Sequence, residues 1–248
     1  MDEIKQKIKD RDPWYVDFQI DQVKSVDTKR SIRKRWNFII CAIDKFRKEN
    51  KKNKLRILDA GCGDGVNLAI LTKILNVEVY GVDYNPLRVK RAKKNFPTAK
   101  IIQDDLTNLK IDKTFDIILC SQVLEHIRED NKVLKDLYDL LEPTGILVLG
   151  TPNEGCFLAQ LRNKIIQPYT QRNTDHINFY KEIILREKIK KAGFQIKDVM
   201  YEGFFFPHSK IDSLFSSSDL GFNFANFLRN VFKTQVAGYY FLLEKNFK

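Results

Sequence analysis

The run Leu55-Arg56-Ile57-Leu58-Asp59-Ala60 reads as a buried strand and leads straight into Gly61-Cys62-Gly63-Asp64-Gly65, after which a helical pattern begins. Glycines at such a turn let the backbone bend tightly and let a ligand approach where a Cβ would collide. The chemistry this suggests is the holding of a nucleotide-like cofactor. Spacing narrows it, because dinucleotide binding prefers G-x-G-x-x-G, which would need glycine at position 66, and the residue there is Val66. The pattern is G-x-G-x-G instead. A second marker is Asp83, which closes Gly81-Val82-Asp83 22 positions after Gly61. An ionised carboxylate has two acceptor oxygens and can receive both hydroxyls of a ribose.

The elements that must position these groups alternate. Strand-like runs at 55–60, 78–82, 100–103, 116–121 and 146–150 are separated by helical patterns at 66–75, 87–95 and 131–141. Such alternation is the signature of a parallel sheet wound in right-handed crossovers. Pro143-Thr144-Gly145 reads as the turn that ends the third of these helices. After Thr151-Pro152 the pattern changes. Residues 153–175 look irregular and polar-aromatic, 181–192 helical, 195–201 a strand, 203–232 rich in phenylalanine with a Ser216-Ser217-Ser218 break, and 236–244 a last strand. Ahead of the first strand, Ile32, Trp36, Ile39, Ile40, Ile43 and Phe46 recur at three- and four-residue steps on one helical stripe. Asp12-Pro13-Trp14-Tyr15 precedes it, and its aromatics predict docking on the domain.

The bulk properties bound the class. A chain of 248 residues with 43% hydrophobic content can bury one substantial core. No run of about 18 apolar residues occurs, and MDEIKQKIKD lacks the apolar centre and cleavage site of a signal peptide, so a cytosolic start is expected. Cys41, Cys62, Cys120 and Cys156 form no C-x-x-C pair and read as reduced packing residues. The formal charge is +11, and residues 1–54 carry 16 Lys and Arg against 9 Asp and Glu. A basic segment favours an anionic partner, whether nucleic acid, acidic glycan or membrane surface; a solvated lysine-rich surface is the other reading.

Five blocks in order carry a resemblance: ILDAGCGDG (57–65), VYGVDYNP (79–86), QDDLTNL (103–109), FDIILCSQVLEHI (115–127) and LLEPTGILVLGTPN (140–153). Over residues 55–202 the chain resembles the class I S-adenosylmethionine-dependent methyltransferases. Leu124-Glu125-His126 and the later Asp175-His176 with Phe179 further resemble the subgroup of ubiquinone-type, glycan and natural-product O-methyltransferases. The resemblance implies an α/β fold: a doubly wound, Rossmann-like, mostly parallel seven-stranded sheet with the last strand antiparallel and helices on both faces. It implies S-adenosylmethionine as cofactor and S-adenosylhomocysteine as product. Asp59 and the glycine loop (Gly61, Cys62, Gly63, Gly65) would face its methionine part. Asp83 with Tyr84 would hold the ribose, and Asp105 with Leu106 the adenine, with Asp104 as competitor. Ser121 and Gln122 would line the sulfonium. Residues 1–54 are expected to form a helical extension covering the cofactor, ahead of a methyltransferase domain at 55–248 whose segments 153–175 and 203–232 vary with the acceptor.

Positioning dominates methyl transfer, but an oxygen acceptor must also lose a proton, and histidine is the side chain best suited to take it near neutrality. His126 stands on the carboxyl edge of the sheet and His176 in a loop held by it, which makes both candidate bases. The alternatives are a packing or capping role for His126 and a helix-start role for His176. His208 reads as a surface or lid residue, and Glu125 as a solvated helix-start carboxylate that could instead orient a substrate hydroxyl. Arg162, Tyr169 and Arg172 are candidate acceptor contacts, the arginines suiting a phosphate or carboxylate. No metal is expected, since no run has ligand spacing. The leading acceptor is a small-molecule, lipid-linked or glycan-precursor hydroxyl. RNA or protein is the alternative, disfavoured because Ser121-Gln122-Val123-Leu124 stands where an Asn-Pro-Pro-Tyr or Asp-Pro-Pro-Tyr block is common in amino-directed enzymes of nucleic acids. A non-catalytic binding module is the reading from another class. The aromatic segment 203–232 reads as a lid, as a contact with an anionic membrane, or as hydrophobic filling.

Overall fold

The computed structural model describes residues 26–169 and 176–247. A 25-residue helix, Val26–Asn50 (α1), precedes the first strand, Leu55–Ala60 (β1). A short helix, Leu68–Leu71 (α2), then leads to Val77–Asp83 (β2), Pro86–Asn95 (α3) and Lys100–Gln103 (β3). Phe115–Ser121 (β4), Asp130–Leu140 (α4) and Leu141–Pro152 (β5) follow. The chain continues through Phe157–Leu161 (α5), Glu182–Lys191 (α6) and Phe194–Tyr201 (β6). It ends with Ser209–Ser216 (α7), Asp219–Val231 (α8) and Gly238–Lys245 (β7).

The seven strands lie in the order β3-β2-β1-β4-β5-β7-β6. β1 through β5 pair in parallel, and β7 runs antiparallel between β5 and β6. The doubly wound sheet with a reversed last strand is therefore the architecture expected from the sequence. Strand order reverses between β1 and β4, so the carboxyl ends of these two strands open the crevice where such sheets bind ligands. Period-two alternation splits the core between the faces. Leu55 and Ile57 join Ile39, Ile43 and Phe46 of α1 with Leu71 and Val89, whereas Leu58 and Ala60 join Val133, Leu137, Leu185 and Ile189. The apolar stripe of α1 is thus part of the sheet's own core.

Three local expectations differ from the structure. The helix expected over 66–75 is α-helical only at α2, because after Thr72 the chain tightens to three-residue bonds, Lys73 N to Ile70 O and Ile74 N to Leu71 O. Pro143-Thr144-Gly145 is not a separate turn. It lies within β5, where the register with β4 shifts between Phe115 and Ile117 and the extra residues bulge outward. The irregular stretch expected at 153–175 contains α5, prolonged by a π-turn at Arg162–Ile166. The Asp12 to Tyr15 docking motif lies outside the described residues.

Candidate active site

The donor side is built by the turn after β1. Gly61, Gly63 and Gly65 have φ of 80°, 54° and 97°. A Cβ on Gly61 would stand 2.3 Å from Val123 Cγ2, and one on Gly65 2.5 Å from the Phe96 ring. Left-handed backbone and close packing each demand glycine at these two positions. The amides of Gly61 and Cys62 both donate to Val82 O, at 2.8 and 2.9 Å, which folds the loop over the end of β2. Cys62 is buried and its thiol is pushed far above its ordinary range by burial, which makes it a packing residue of the loop. Asp64 pairs with Arg91, Nε to Oδ1 at 2.6 Å.

Asp83 is buried, with Oδ2 accepting from Gly63 N and Oδ1 from Asn85 N, both at 2.9 Å. These two bonds brace the glycine loop. Asp59 is buried too. Its Oδ1 accepts from Asn67 Nδ2 at 3.1 Å, while Oδ2 has no hydrogen-bond partner among the described residues. Burial pushes its carboxyl up to about 7, with the Asp83 charge adding to the rise and the Asn67 bond opposing it. A cation brought to Asp59 would relieve that penalty. Tyr84 is exposed at the rim. Asp105 caps the 3-10 turn Leu106–Asn108 through Thr107 N, and Asp104 accepts from Asp105 N and Lys110 N. Leu106 is buried below them. Both aspartates thus shape the turn after β3.

The other side of the crevice is assembled from distant segments. Ser121 Oγ at the end of β4 is hydrogen-bonded to the Tyr240 hydroxyl of β7. Arg35 of α1 lies 5.4 Å from the centre of the same ring and pairs with the buried Glu202. Gln122 has φ of 59°, a strained value for a residue with a side chain, and its Nε2 has no hydrogen-bond partner among the described residues. The chain then turns through Leu124–His126. Here Glu125 corrects the sequence expectation: it is 0% exposed, and neither oxygen has a hydrogen-bond partner among the described residues. Burial pushes its carboxyl up to about 7 against the opposing pull of His126 and His176.

His126 and His176 come together although 50 positions separate them in the chain. Their rings meet edge to face with centroids 4.6 Å apart. The amides of Ile177 and Asn178 donate to Glu125 O at 2.9 and 3.0 Å, and Asn178 Nδ2 donates to Leu124 O and Ile127 O. Tyr180 fastens the same loop by donating to Asp130 of α4. Glu125, His126 and His176 each place one donor atom within 4.8 Å of the others. Such a set could hold a metal ion, a possibility invisible to a search by spacing along the chain. His176 Nδ1 is 2.7 Å from Glu154 Oε2, and Arg162 reaches Oε1 of the same carboxylate at 3.8 Å.

The remaining expectations divide. Arg162 points inward to Glu154 and stacks 4.4 Å from the Phe205 ring centre, whereas Tyr169 is exposed and accepts from Gln167 Nε2. Arg172 and Asp175 lie outside the described residues. His208 caps α7, its Nδ1 accepting from Lys210 N, in keeping with a surface role. Sequence reasoning missed Glu154, Tyr240 and Arg35. Only Arg35 carried a signal, as a basic residue beside the α1 stripe.

Glycine turns and strand-end aspartates occur in several folds, and comparison with known proteins narrows the choice. A family profile described as "Methyltransferase domain" matches residues 31–199. A probable S-adenosylmethionine-dependent methyltransferase of Mycolicibacterium smegmatis is 26% identical over 145 residues, covering 58% of this chain and 53% of that protein. A ubiquinone biosynthesis O-methyltransferase of Rickettsia canadensis is 26% identical over 158 residues, covering 60% and 66%. The chain thus spans between half and two thirds of these relatives. The crystal structure of an S-adenosylmethionine-dependent methyltransferase from Clostridium acetobutylicum superposes with a TM-score of 0.58 at 15% identity, covering 92% of this chain and 98% of that one. The glycine cradle and the unpartnered Asp59 oxygen fit the cofactor these relatives name, and the chain belongs to the methyltransferase-domain family with S-adenosylmethionine as its cofactor.

Proposed function

We infer that this chain methylates an oxygen of a small-molecule, lipid-linked or glycan-precursor acceptor held against the Glu125, His126 and His176 cluster. The observation that carries this reading is the cluster itself, a fully buried carboxylate and two imidazoles on the carboxyl edge of the sheet beside Gln122. Bound S-adenosylmethionine supplies an electrophilic sulfonium methyl. The glycine loop, Asp59 and Asp83 hold the donor, and Ser121 and Gln122 border the space between donor and cluster. An imidazole there can take the hydroxyl proton as the oxygen attacks, a service a nitrogen or thiolate acceptor needs less.

The test is a panel of isoprenoid-phosphate sugars, catechols, RNA and basic peptides with S-adenosylmethionine labelled in its methyl group. Methoxy products, with kcat reduced at least tenfold in both H126N and H176N, are expected. Label in RNA or peptide, or wild-type turnover in both variants, would overturn the reading.

A peripheral contact with an anionic membrane is a second reading, favoured by α8. Leu220, Phe224, Phe227 and Val231 fall on one stripe, and all four are exposed, so this helix turns its apolar face outward. No helix among the described residues is long and apolar enough to cross a membrane, which leaves interfacial binding as the mode. Flotation with anionic vesicles is expected to carry the wild type and to lose L220S/F227S. Equal flotation of both would remove the idea.

A further inference from the structure

Glu154 belongs to none of the motifs that pointed to the cofactor, yet its carboxylate contacts His176. It is buried on the loop after β5, and both partners of its contact with His176 are fixed independently. On one side, Gln160 Nε2 donates to Glu154 O at 2.8 Å and Gly155 N to Tyr180 O at 3.0 Å. On the other, the amides that follow His176 are bonded to Glu125 O. Arg162, which flanks the carboxylate, is itself held by Asn163 Oδ1 at 3.0 Å and by the Phe205 ring. Among the described residues, the groups facing the imidazole include Glu154 with Arg162 behind it, His126 at its edge, and Glu125.

We propose that Glu154 is a positioning residue that locks His176 as the Nδ1–H tautomer, so that Nε2 carries the lone pair that receives the acceptor's proton. A carboxylate oxygen only accepts, whereas a neutral imidazole has one donor and one acceptor nitrogen, so a 2.7 Å contact at Nδ1 places the proton there. In the step, the acceptor O–H bond breaks, its proton forms a bond to Nε2, and the electron pair stays on the oxygen that takes the methyl group. The imidazolium left behind donates from Nδ1 to Glu154 in a charge-assisted bond, and Glu154 takes no proton. The final role rests on the oxygen-transfer reading above; the tautomer rests on the geometry alone.

The test is long-range proton–nitrogen correlation NMR of the 15N-labelled full chain, read at the alkaline end of a pH titration. H126N, H176N and H208N assign the three histidines. His176 is expected in the Nδ1–H form in the wild type and in E154Q, whose carboxamide oxygen still accepts, and to become a tautomer mixture in E154L. An Nε2–H or mixed pattern in the wild type overturns the proposal, as does an unchanged pattern in E154L. If E154L fails to fold, the wild-type and E154Q spectra decide alone. Calorimetry of S-adenosylhomocysteine on the same samples separates the two claims, because absent binding undoes the methyltransferase reading and leaves the tautomer result standing. With an acceptor in hand, E154L should lower kcat by about tenfold to a hundredfold at unchanged cofactor KM, and unchanged kcat overturns the positioning role.

Discussion

The two sides of this site, the glycine loop proposed to hold the donor and the cluster of Glu125, His126 and His176 proposed to hold the acceptor, share one sheet edge but solve opposite problems. On the donor side the charges are already paired: Asp83 accepts two backbone amides and Asp64 holds Arg91. The other side keeps the Glu125 carboxylate buried without a hydrogen-bond partner among the described residues, Gln122 at positive φ, and two imidazoles in contact. Burial of an unpaired carboxylate is unfavourable and persists only where the surroundings enforce it. The contrast is between a loop braced by paired charges and a turn that buries a carboxyl pushed up to about 7. Asp59 and Asp64 each keep one buried oxygen without a hydrogen-bond partner among the described residues, so the pairing is incomplete there too.

The comparison can be broken most sharply at Gly61. In G61V the added side chain meets Val123 at a position with φ of 80°, so cofactor affinity should fall at least a hundredfold, about 3 kcal/mol. Calorimetry reads this, and wild-type affinity would remove the loop from the donor site. Next in size is Glu125→Gln. A buried carboxyl raised from 4.5 to about 7 makes its full contribution to stability below about pH 4.5 and loses it as pH rises toward 7. The loss is on the order of 3 kcal/mol. The variant should therefore gain stability over the wild type at pH 8 and little at pH 4, as urea melts at the two values would record. Equal differences at both would mean that Glu125 is not held under this strain. The smallest effect belongs to Tyr240→Phe, which removes the hydroxyl bonded to Ser121 and should cost about 1 kcal/mol. Cofactor affinity should stay within threefold, and a larger drop would show that Ser121 reaches the donor only when Tyr240 holds it.

The donor side was legible because it is local. Loop, strand and carboxylate from Leu55 to Asp83 lie within a single βαβ unit, so the spacing of Gly61, Gly65 and Asp83 already encodes their meeting. Strands β1 and β3 came out with the expected limits, since short apolar runs bounded by turn residues have few other ways to pack. The resemblance points to Asp105, with Asp104 as its competitor, for the adenine, and the structure adds that both shape the following turn. Nothing local marks Glu125 as buried either. It is the return of residues 176–180 across Leu124 to Ile127 that seals it from solvent.

The amino-acid sequence by itself determined the wound sheet and the cofactor loop, because periodicity and turn chemistry act over a few residues and need no partner, whereas the reversed last strand followed only from the family resemblance. Tertiary structure alone decided that His126 meets His176, that Glu154 stands behind one of them, and that Arg162 turns inward. These contacts join residues 8 to 50 positions apart across loops, and only the closing of the sheet sets their distances. The same closing turned Glu125 from a solvated carboxylate into the buried centre of the acceptor side.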